Sequence, residues 1–285
     1  MPDFPFIPRP SFILKSSRHF SDIVTAGQSF YNAVKKGSPV NQPWVLIPAR
    51  YGSARFPGKP LALILGKPLI QWVYEQARRV PGLAGICVAT DDTRIKDCVE
   101  SFGGQVVMTR SDHPSGSDRL AEAAGILGLD RQDLVINIQG DQPVFPLQVV
   151  GHMANLMERD CSAVMATPAR RFTDLELARN PNLVKVVFNH RGRALYFSRS
   201  PLPYWRDGER PYFYKHIGMY VYRVEFLKDF VTLPPGRWEQ AEKLEQLRAL
   251  EYGYPIHVVE TAGDTLEVDT PEDLARAAEY LGKTS

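Results

Sequence analysis

From Trp44 onward, short runs of apolar residues rich in β-formers alternate with stretches whose apolar positions recur every three or four residues. The runs at 44–48, 86–90, 105–108 and 134–138 have the length and composition of buried strands. Leu69, Ile70, Val73, Tyr74 and Ala77 fall at helical spacing, and the same rhythm predicts helices near 69–79, 93–102, 118–127 and 146–159. Strand and helix in turn predict an α/β fold, a mostly parallel, doubly wound, Rossmann-like sheet with helices on both faces. Ligands of such sheets bind beyond the carboxyl ends of the strands, so the loops after the first, second and fourth strands are expected to share one crevice.

The rhythm changes in the second half. Val184 to Phe188 and Ala194 to Phe197 flank Asn189-His190-Arg191-Gly192, a turn sequence that predicts a hairpin. His216 to Tyr222 is a further strand, Glu239 to Tyr252 a charged helix periodic in leucine, and Ile256 to Val259 a late strand. A last helix opens with Thr270 as N-cap, Pro271 at its first position and Glu272-Asp273 in its first turn. Residues 1–43 form a separate N-terminal extension ahead of a domain over 44–285. Its start is proline-rich, and Phe20, Ile23, Val24, Gly27, Tyr31 and Val34 suggest one amphipathic helix over 19–36, ended by Gly37-Ser38-Pro39. A loosely attached tail and a docked helix both remain open for it.

Composition narrows the classes. A chain of 285 residues with 44% hydrophobic content can bury a sizeable core. A formal charge of +2 lacks the basic excess of a nucleic-acid binder. Cys87, Cys98 and Cys161 include no CxxC pair, so neither a disulfide framework nor a zinc site is expected. No apolar run approaches the ~20 residues of a membrane span, and the acidic, proline-rich start is wrong for a secretory signal. A cytoplasmic soluble enzyme without nucleic-acid partners is the expectation.

The cations are instead gathered locally. In VLIPARYGSARFPGKP (Val45 to Pro60) a strand stops at Pro48 and a loop follows with Ala49, Arg50, Tyr51, Gly52, Ser53, Arg55 and Lys59. Glycine lets backbone N–H groups approach an anion, and the cations neutralise a polyphosphate. The nucleotide P-loop does not fit: one residue too many separates Gly52 from Gly58, and Pro60 stands where Ser or Thr should meet magnesium. A kinase or ATPase reading is set aside on that mismatch.

The pattern PARYxSxRxPGKPL, with GKP repeated at Gly66 to Pro68, resembles the signature of sugar-nucleotide cytidylyltransferases, most of all the 3-deoxy-manno-octulosonate (Kdo) cytidylyltransferases. Further blocks follow in order: ATDD at Ala89, MTRSDHPSGSDRLAEA at Met108, NIQGDQP at Asn137, LVKVV at Leu183, ALYFSRSPLP at Ala194, HIGMYVYR at His216, LEQLRALEYG at Leu244 and VDTPEDL at Val268. The likeness runs from about Trp44 to about Tyr280. It implies transfer of CMP from CTP to Kdo with loss of pyrophosphate, dependence on magnesium, a role in lipopolysaccharide synthesis and a homodimer. The hairpin region is then expected to serve sugar binding and dimerisation.

Residue by residue, the resemblance puts magnesium on Asp141 and Asp269, with Arg50 and Lys59 completing the catalytic set. The loop after the first strand takes the triphosphate, and Arg110, Ser115, Gly116, Ser117 and Arg119 read the cytosine. Ser117 is also expected to cap a helix beginning at Asp118. Gln139, Arg199, His216, Tyr220, Glu245 and Gln246 are assigned to the acid sugar. Asp91 and Asp92 are read as loop-shaping. The chain departs from the pattern in three places. Gln142 sits where GDEP is commoner, Leu266-Glu267 precede VDTPED in place of small residues, and Pro114 replaces Gln or Ala. The first two flank the expected metal ligands and bear on metal geometry or sugar choice. A related acid sugar (8-amino Kdo or a sialic-like acid) and a non-catalytic nucleotide-binding relative are the alternatives.

Overall fold

The computed structural model describes residues 42–52, 56–206 and 212–284, all within one compact unit, Asn41–Ser285. The helix expected over 19–36, and Ser53 and Arg55, lie outside the described residues. Strand β1 (Trp44–Ala49) leads through a 3-10 turn at Lys59–Leu61 and a small hairpin, β2 (Leu63–Ile64) and β3 (Lys67–Pro68), into α1 (Leu69–Ala77). There follow β4 (Gly85–Thr90), α2 (Thr93–Ser101), β5 (Val106–Met108), α3 (Gly116–Ile126), β6 (Leu134–Asn137) and α4 (Leu147–Arg159). Each lies within a few residues of its expected bounds.

The second half holds β7 (Met165–Phe172), α5 (Leu175–Arg179), β8 (Lys185–Phe188), β9 (Ala194–Ser198), β10 (Phe213–His216) and β11 (Tyr220–Arg223). Helices α6 (Val224–Phe230), α7 (Arg237–Glu242) and α8 (Gln246–Glu251), β12 (Ile256–Thr261) and α9 (Pro271–Thr284) complete it. The main sheet has ten strands in the order β5-β4-β1-β6-β11-β7-β10-β8-β9, with β12 on β7. Its first four strands are parallel. Beyond β6 the pairing turns antiparallel through β11, β7, β10, β8 and β9, and β12 returns parallel to β7. The parallel core is as expected, and the hairpin-rich half makes the whole sheet mixed.

Alternate residues of β1 face opposite ways, as the two-residue period of a strand requires. Val45 and Ile47 pack under α1, α2, α4 and α9, while Leu46 packs with Leu120 of α3 and Phe226 of α6 on the other face. None of the described helices is long and apolar enough to cross a membrane.

Two elements correct the sequence expectations. The strand over 216–222 is broken: β10 and β11 follow one another along β7 with Ile217-Gly218-Met219 between them. The Thr167 hydroxyl on β7 is turned to the carbonyls of Met219 at 2.8 Å and Ile217 at 3.2 Å, which pulls that stretch out of the ladder. The helix over 239–252 is two short helices, because Lys243 adopts a left-handed conformation (φ 53°, ψ 47°). The Arg248 guanidinium clamps the Glu239 carboxylate at 2.6 and 2.8 Å across that break.

Candidate functional site

At the carboxyl ends of β1 and β6 the loops enclose a cavity of about 290 Å³. Gly140 makes the approach possible: a Cβ there would lie 2.9 Å from the Pro48 carbonyl oxygen, too close for any side chain. Lys59 is presented by the 3-10 turn that follows Gly58, whose φ of 72° and packing under the Tyr51 ring suit glycine alone. Its Nζ donates to Asp141 Oδ2 at 2.6 Å and to Asp269 Oδ1 at 3.2 Å. Asp269 comes from far along the chain, carried there because Leu266 N donates to Val144 O at 3.0 Å and Val268 N to Asp141 O at 2.9 Å. Helix-start chemistry is handled by its neighbours, since Asp273 Oδ2 accepts from the amides of Asp269 and Thr270 and Thr270 Oγ1 caps Asp273 N. The Asp269 carboxylate thereby faces Lys59.

Ala49, Arg50, Ser115, Gly116, Arg119 and Gln139 line the same cavity. Tyr51 does not; its ring carries the Arg94 guanidinium 3.3 Å from the centroid. The N-cap of α3 is Ser115, not Ser117 as expected, and the helix starts at Gly116. Ser117 lies in the first turn and donates to Glu245 Oε2 at 2.8 Å. Arg119 is buried and donates to Thr109 Oγ1 at 2.6 Å, with Asp91 Oδ1 3.3 Å away. Asp92 caps α2 through Arg94 N, the loop-shaping role expected of it. Arg110 stands off the cavity, its exposed guanidinium 3.5 Å from Asp112.

Of the residues assigned to the sugar, His216, Tyr220, Glu245 and Gln246 fall along β10, β11 and the start of α8, while Gln139 follows β6 and Arg199 follows β9. His216 is 9% exposed, and burial, helped by the Lys215 charge, pulls it down to about 3. Thr167 has one hydroxyl proton and gives it to backbone carbonyls, so His216 Nε2, 3.0 Å away, is the donor between them. That fixes the neutral ring with Nδ1 as acceptor. Tyr220 stacks on Tyr222 with centroids 5.5 Å apart, and burial raises both phenols so that each stays a donor. The Tyr222 hydroxyl bonds to Ser117 and Asn137, and Gln139 Nε2 reaches Asn137 Oδ1 at 3.3 Å. Burial raises Glu245 as well; its Oε1 and Gln246 Nε2 are buried without a hydrogen bond, the Arg248 guanidinium lying 4.0 Å from that Oε1. Unpaired buried polar atoms of this kind suit a ligand rich in hydroxyls.

Arg199 is not brought into this group. Its guanidinium is committed to the carbonyls of Glu242 at 2.7 Å, Pro181 at 2.9 Å and Lys243 at 3.4 Å. It ties β9 to the break between α7 and α8 instead.

Several site residues escaped the sequence reading. His113 lines the cavity with its Nε2 bonded to Glu122 and its Nδ1 buried and unpartnered; it stood inside a quoted block without being singled out. Tyr222 was recoverable from the rule that residues two apart on a strand share a face with each other, here with Tyr220. Among the described residues no three His, Cys, Asp or Glu gather around a metal position. Two carboxylates converging on one cation fit magnesium nonetheless, which is held by one or two carboxylates together with phosphate oxygens and water.

The cytidylyltransferase family model matches residues 44–261. An 8-amino-3,8-dideoxy-manno-octulosonate cytidylyltransferase of Shewanella pealeana is 55% identical over 231 residues, 81% of this chain and 94% of its own. A 3-deoxy-manno-octulosonate cytidylyltransferase of Syntrophobacter fumaroxidans is 52% identical over 240 residues, 84% of this chain and 96% of its own. A solved structure of CMP:2-keto-3-deoxy-manno-octonic acid synthetase complexed with CTP has a TM-score of 0.81 at 44% identity, covering 86% of this chain and 100% of that one.

Proposed function

The chain belongs to the cytidylyltransferase family, and on that premise we propose that it transfers CMP from CTP to the anomeric hydroxyl of 3-deoxy-D-manno-octulosonate. The observation that carries the reading is the convergence of Lys59, Asp141 and Asp269 in a cavity that also holds Arg50 and the amino end of α3. Arg50 and Lys59 neutralise the triphosphate, and the α3 amides of Gly116 and its neighbours face the nucleotide. The hydroxyl oxygen bonds to the α-phosphorus, the bond from that phosphorus to the β-phosphate bridge breaks, and pyrophosphate leaves. The hydroxyl proton is released to water. Asp141 and Asp269 would hold magnesium, which when bound supplies charge neutralisation at the phosphate oxygens. His216, Tyr220, Glu245 and Gln246 hold and orient the sugar.

The test is pyrophosphate release with CTP, UTP, ATP and GTP against Kdo. Kdo-dependent release with CTP, falling at least about tenfold with UTP, supports the reading; release independent of any acid sugar removes it. The names of the relatives favour a second reading, in which the acceptor is 8-amino-3,8-dideoxy-manno-octulosonate. The reaction is placed in the cytoplasm, where CTP is at hand, as a step towards lipopolysaccharide-type glycans.

The reading includes a homodimer through the open edge of the sheet. Strand β9 ends the sheet, its Leu195 is 60% exposed, and Trp238, packed on Tyr196, is 51% exposed. Unpaired strand edges with apolar side chains recruit partners. Phe197 and Phe213 of the same region belong to the core, at 0% and 1% exposed. A monomer mass by light scattering at micromolar concentration would remove the dimer.

A further inference from the structure

On the extended segment leading to α9, Glu267 and Asp269 are two residues apart, with Val268 between them turned into the core at 0% exposed. Alternate residues of an extended chain share a face at a separation of about 7 Å. The Glu267 side chain therefore stands beside the carboxylate that pairs with Lys59. It forms part of the wall of a second cavity, of about 350 Å³, with Lys215, Thr265, Leu266 and Arg276. Both cations there are already matched, Lys215 to Asp264 at 2.7 Å and Arg276 to Asp273.

Glu267 has no such match. Its Oε1 accepts from Gln142 Nε2 at 3.1 Å and more weakly from Thr265 Oγ1 at 3.4 Å, while Oε2 carries no hydrogen bond among the described residues. Gln142 is 1% exposed, and its own Oε1 is buried without a partner. The opposite amide orientation would set two oxygens against each other, so Glu267 fixes Gln142 Oε1 as an acceptor. Two of the three departures from the family pattern are thus one bonded pair, short of donors and carrying a negative charge.

We propose, on the second of the acceptor readings given above, that Gln142 and Glu267 set the choice of sugar by favouring an ammonium over a hydroxyl on the exocyclic chain. An ammonium brings three donors and a positive charge, whereas a hydroxyl brings one donor and no charge. Charge-assisted bonds are about twice as strong as neutral ones. In the ring form that exocyclic chain is joined to the anomeric carbon through the ring oxygen. The two ends of the sugar can then lie one towards Asp269 and one towards Glu267. Glu267 makes the contact and Gln142 positions it.

The experiment compares kcat/KM for 8-amino-3,8-dideoxy-manno-octulosonate and for Kdo in the full chain, in Glu267→Gln and in Gln142→Leu. The wild type is expected to prefer the amino sugar. Glu267→Gln should lower the amino-to-Kdo ratio by about tenfold, chiefly through KM for the amino sugar. Gln142→Leu should lower it less. As a measurement that needs no variant, N-acetylation of the amino sugar should cost the wild type about tenfold or more, by removing the charge. A ratio unchanged in Glu267→Gln at an unaltered melting temperature overturns the proposal. So does a wild type that turns over Kdo alone. Turnover of neither sugar with CTP overturns the acid-sugar reading together with it, which separates the two failures.

Discussion

Around the ends of β1 and β6 the polar side chains are charged, paired and within reach of water: Lys59 is 13% exposed, Asp141 28% and Asp269 37%. At His216, Tyr220 and Tyr222 on β10 and β11 they are neutral, the imidazole held uncharged and both phenols held protonated by burial. On the proposed function the contrast follows from what each half has to meet. A triphosphate arrives with its own charge and counter-ions, and a site facing it must exchange ion pairs quickly, which is cheapest where solvent screens them. A sugar is recognised by hydroxyl groups, and neutral donors and acceptors gain most where water cannot compete. Ser117 joins the halves. It sits on the helix beside the nucleotide cavity, yet its hydroxyl serves Glu245 and Tyr222.

The largest effect is expected on the charged side. Asp269→Asn keeps the size and removes the charge, and kcat should fall by about three orders of magnitude or more while the melting temperature hardly moves. Near-normal kcat with an unchanged magnesium requirement would reduce Asp269 to a structural partner of Lys59.

A smaller effect decides which half Ser117 serves. Ser117→Ala leaves the buried Glu245 carboxyl without that donor, a cost of about 1–3 kcal/mol. The KM for the sugar is expected to rise about tenfold with the KM for CTP changing far less. A rise confined to CTP would return Ser117 to the base-reading side, where the sequence had put it.

A last effect, on stability and not on turnover, tests the neutrality of the buried half. An unfolded histidine titrates near 6.5, whereas His216 in the fold is held down to about 3. Between those values the unfolded chain binds more protons, so stability is lost as pH falls below about 6.5. By pH 5 the loss from this one group approaches about 2 kcal/mol. His257 is shifted the same way by burial, so the measurement is a difference: melting of His216→Gln should fall less steeply from pH 7 to 5 than melting of the wild type. Parallel slopes would mean that His216 is charged or solvated in the fold.

The charged half was the more legible in sequence. Its residues follow strands directly, so periodicity located β1 and β6 and the fold rule brought their loops together. Lys59 and Asp141 were placed in that way, whereas Ser115 and Asp269 came from the resemblance. The buried half was legible mainly by resemblance, and its backbone was misjudged twice. Apolar periodicity runs unbroken through 217–219 and across Lys243. What breaks the chain there is a hydroxyl from β7 and an ion pair between neighbouring helices, and neither leaves a local trace. Arg199 shows the limit of residue type as a guide. A guanidinium fits a carboxylate in principle, but three backbone carbonyls hold this one.

Lys59 and Asp269 are 210 residues apart in the chain. During synthesis the phosphate loop therefore emerges long before its second carboxylate exists. The sheet itself can finish only when β12 reaches β7, and the segment carrying Asp269 lies later still. Domains acquire structure from the amino end as they are made, so a growing chain carries the cationic loop after β1 long before Asp269 is added. One ion pair thus ties the loop after β1 to a segment 210 residues later, and a fragment that stops short of residue 269 carries Lys59 without its second carboxylate.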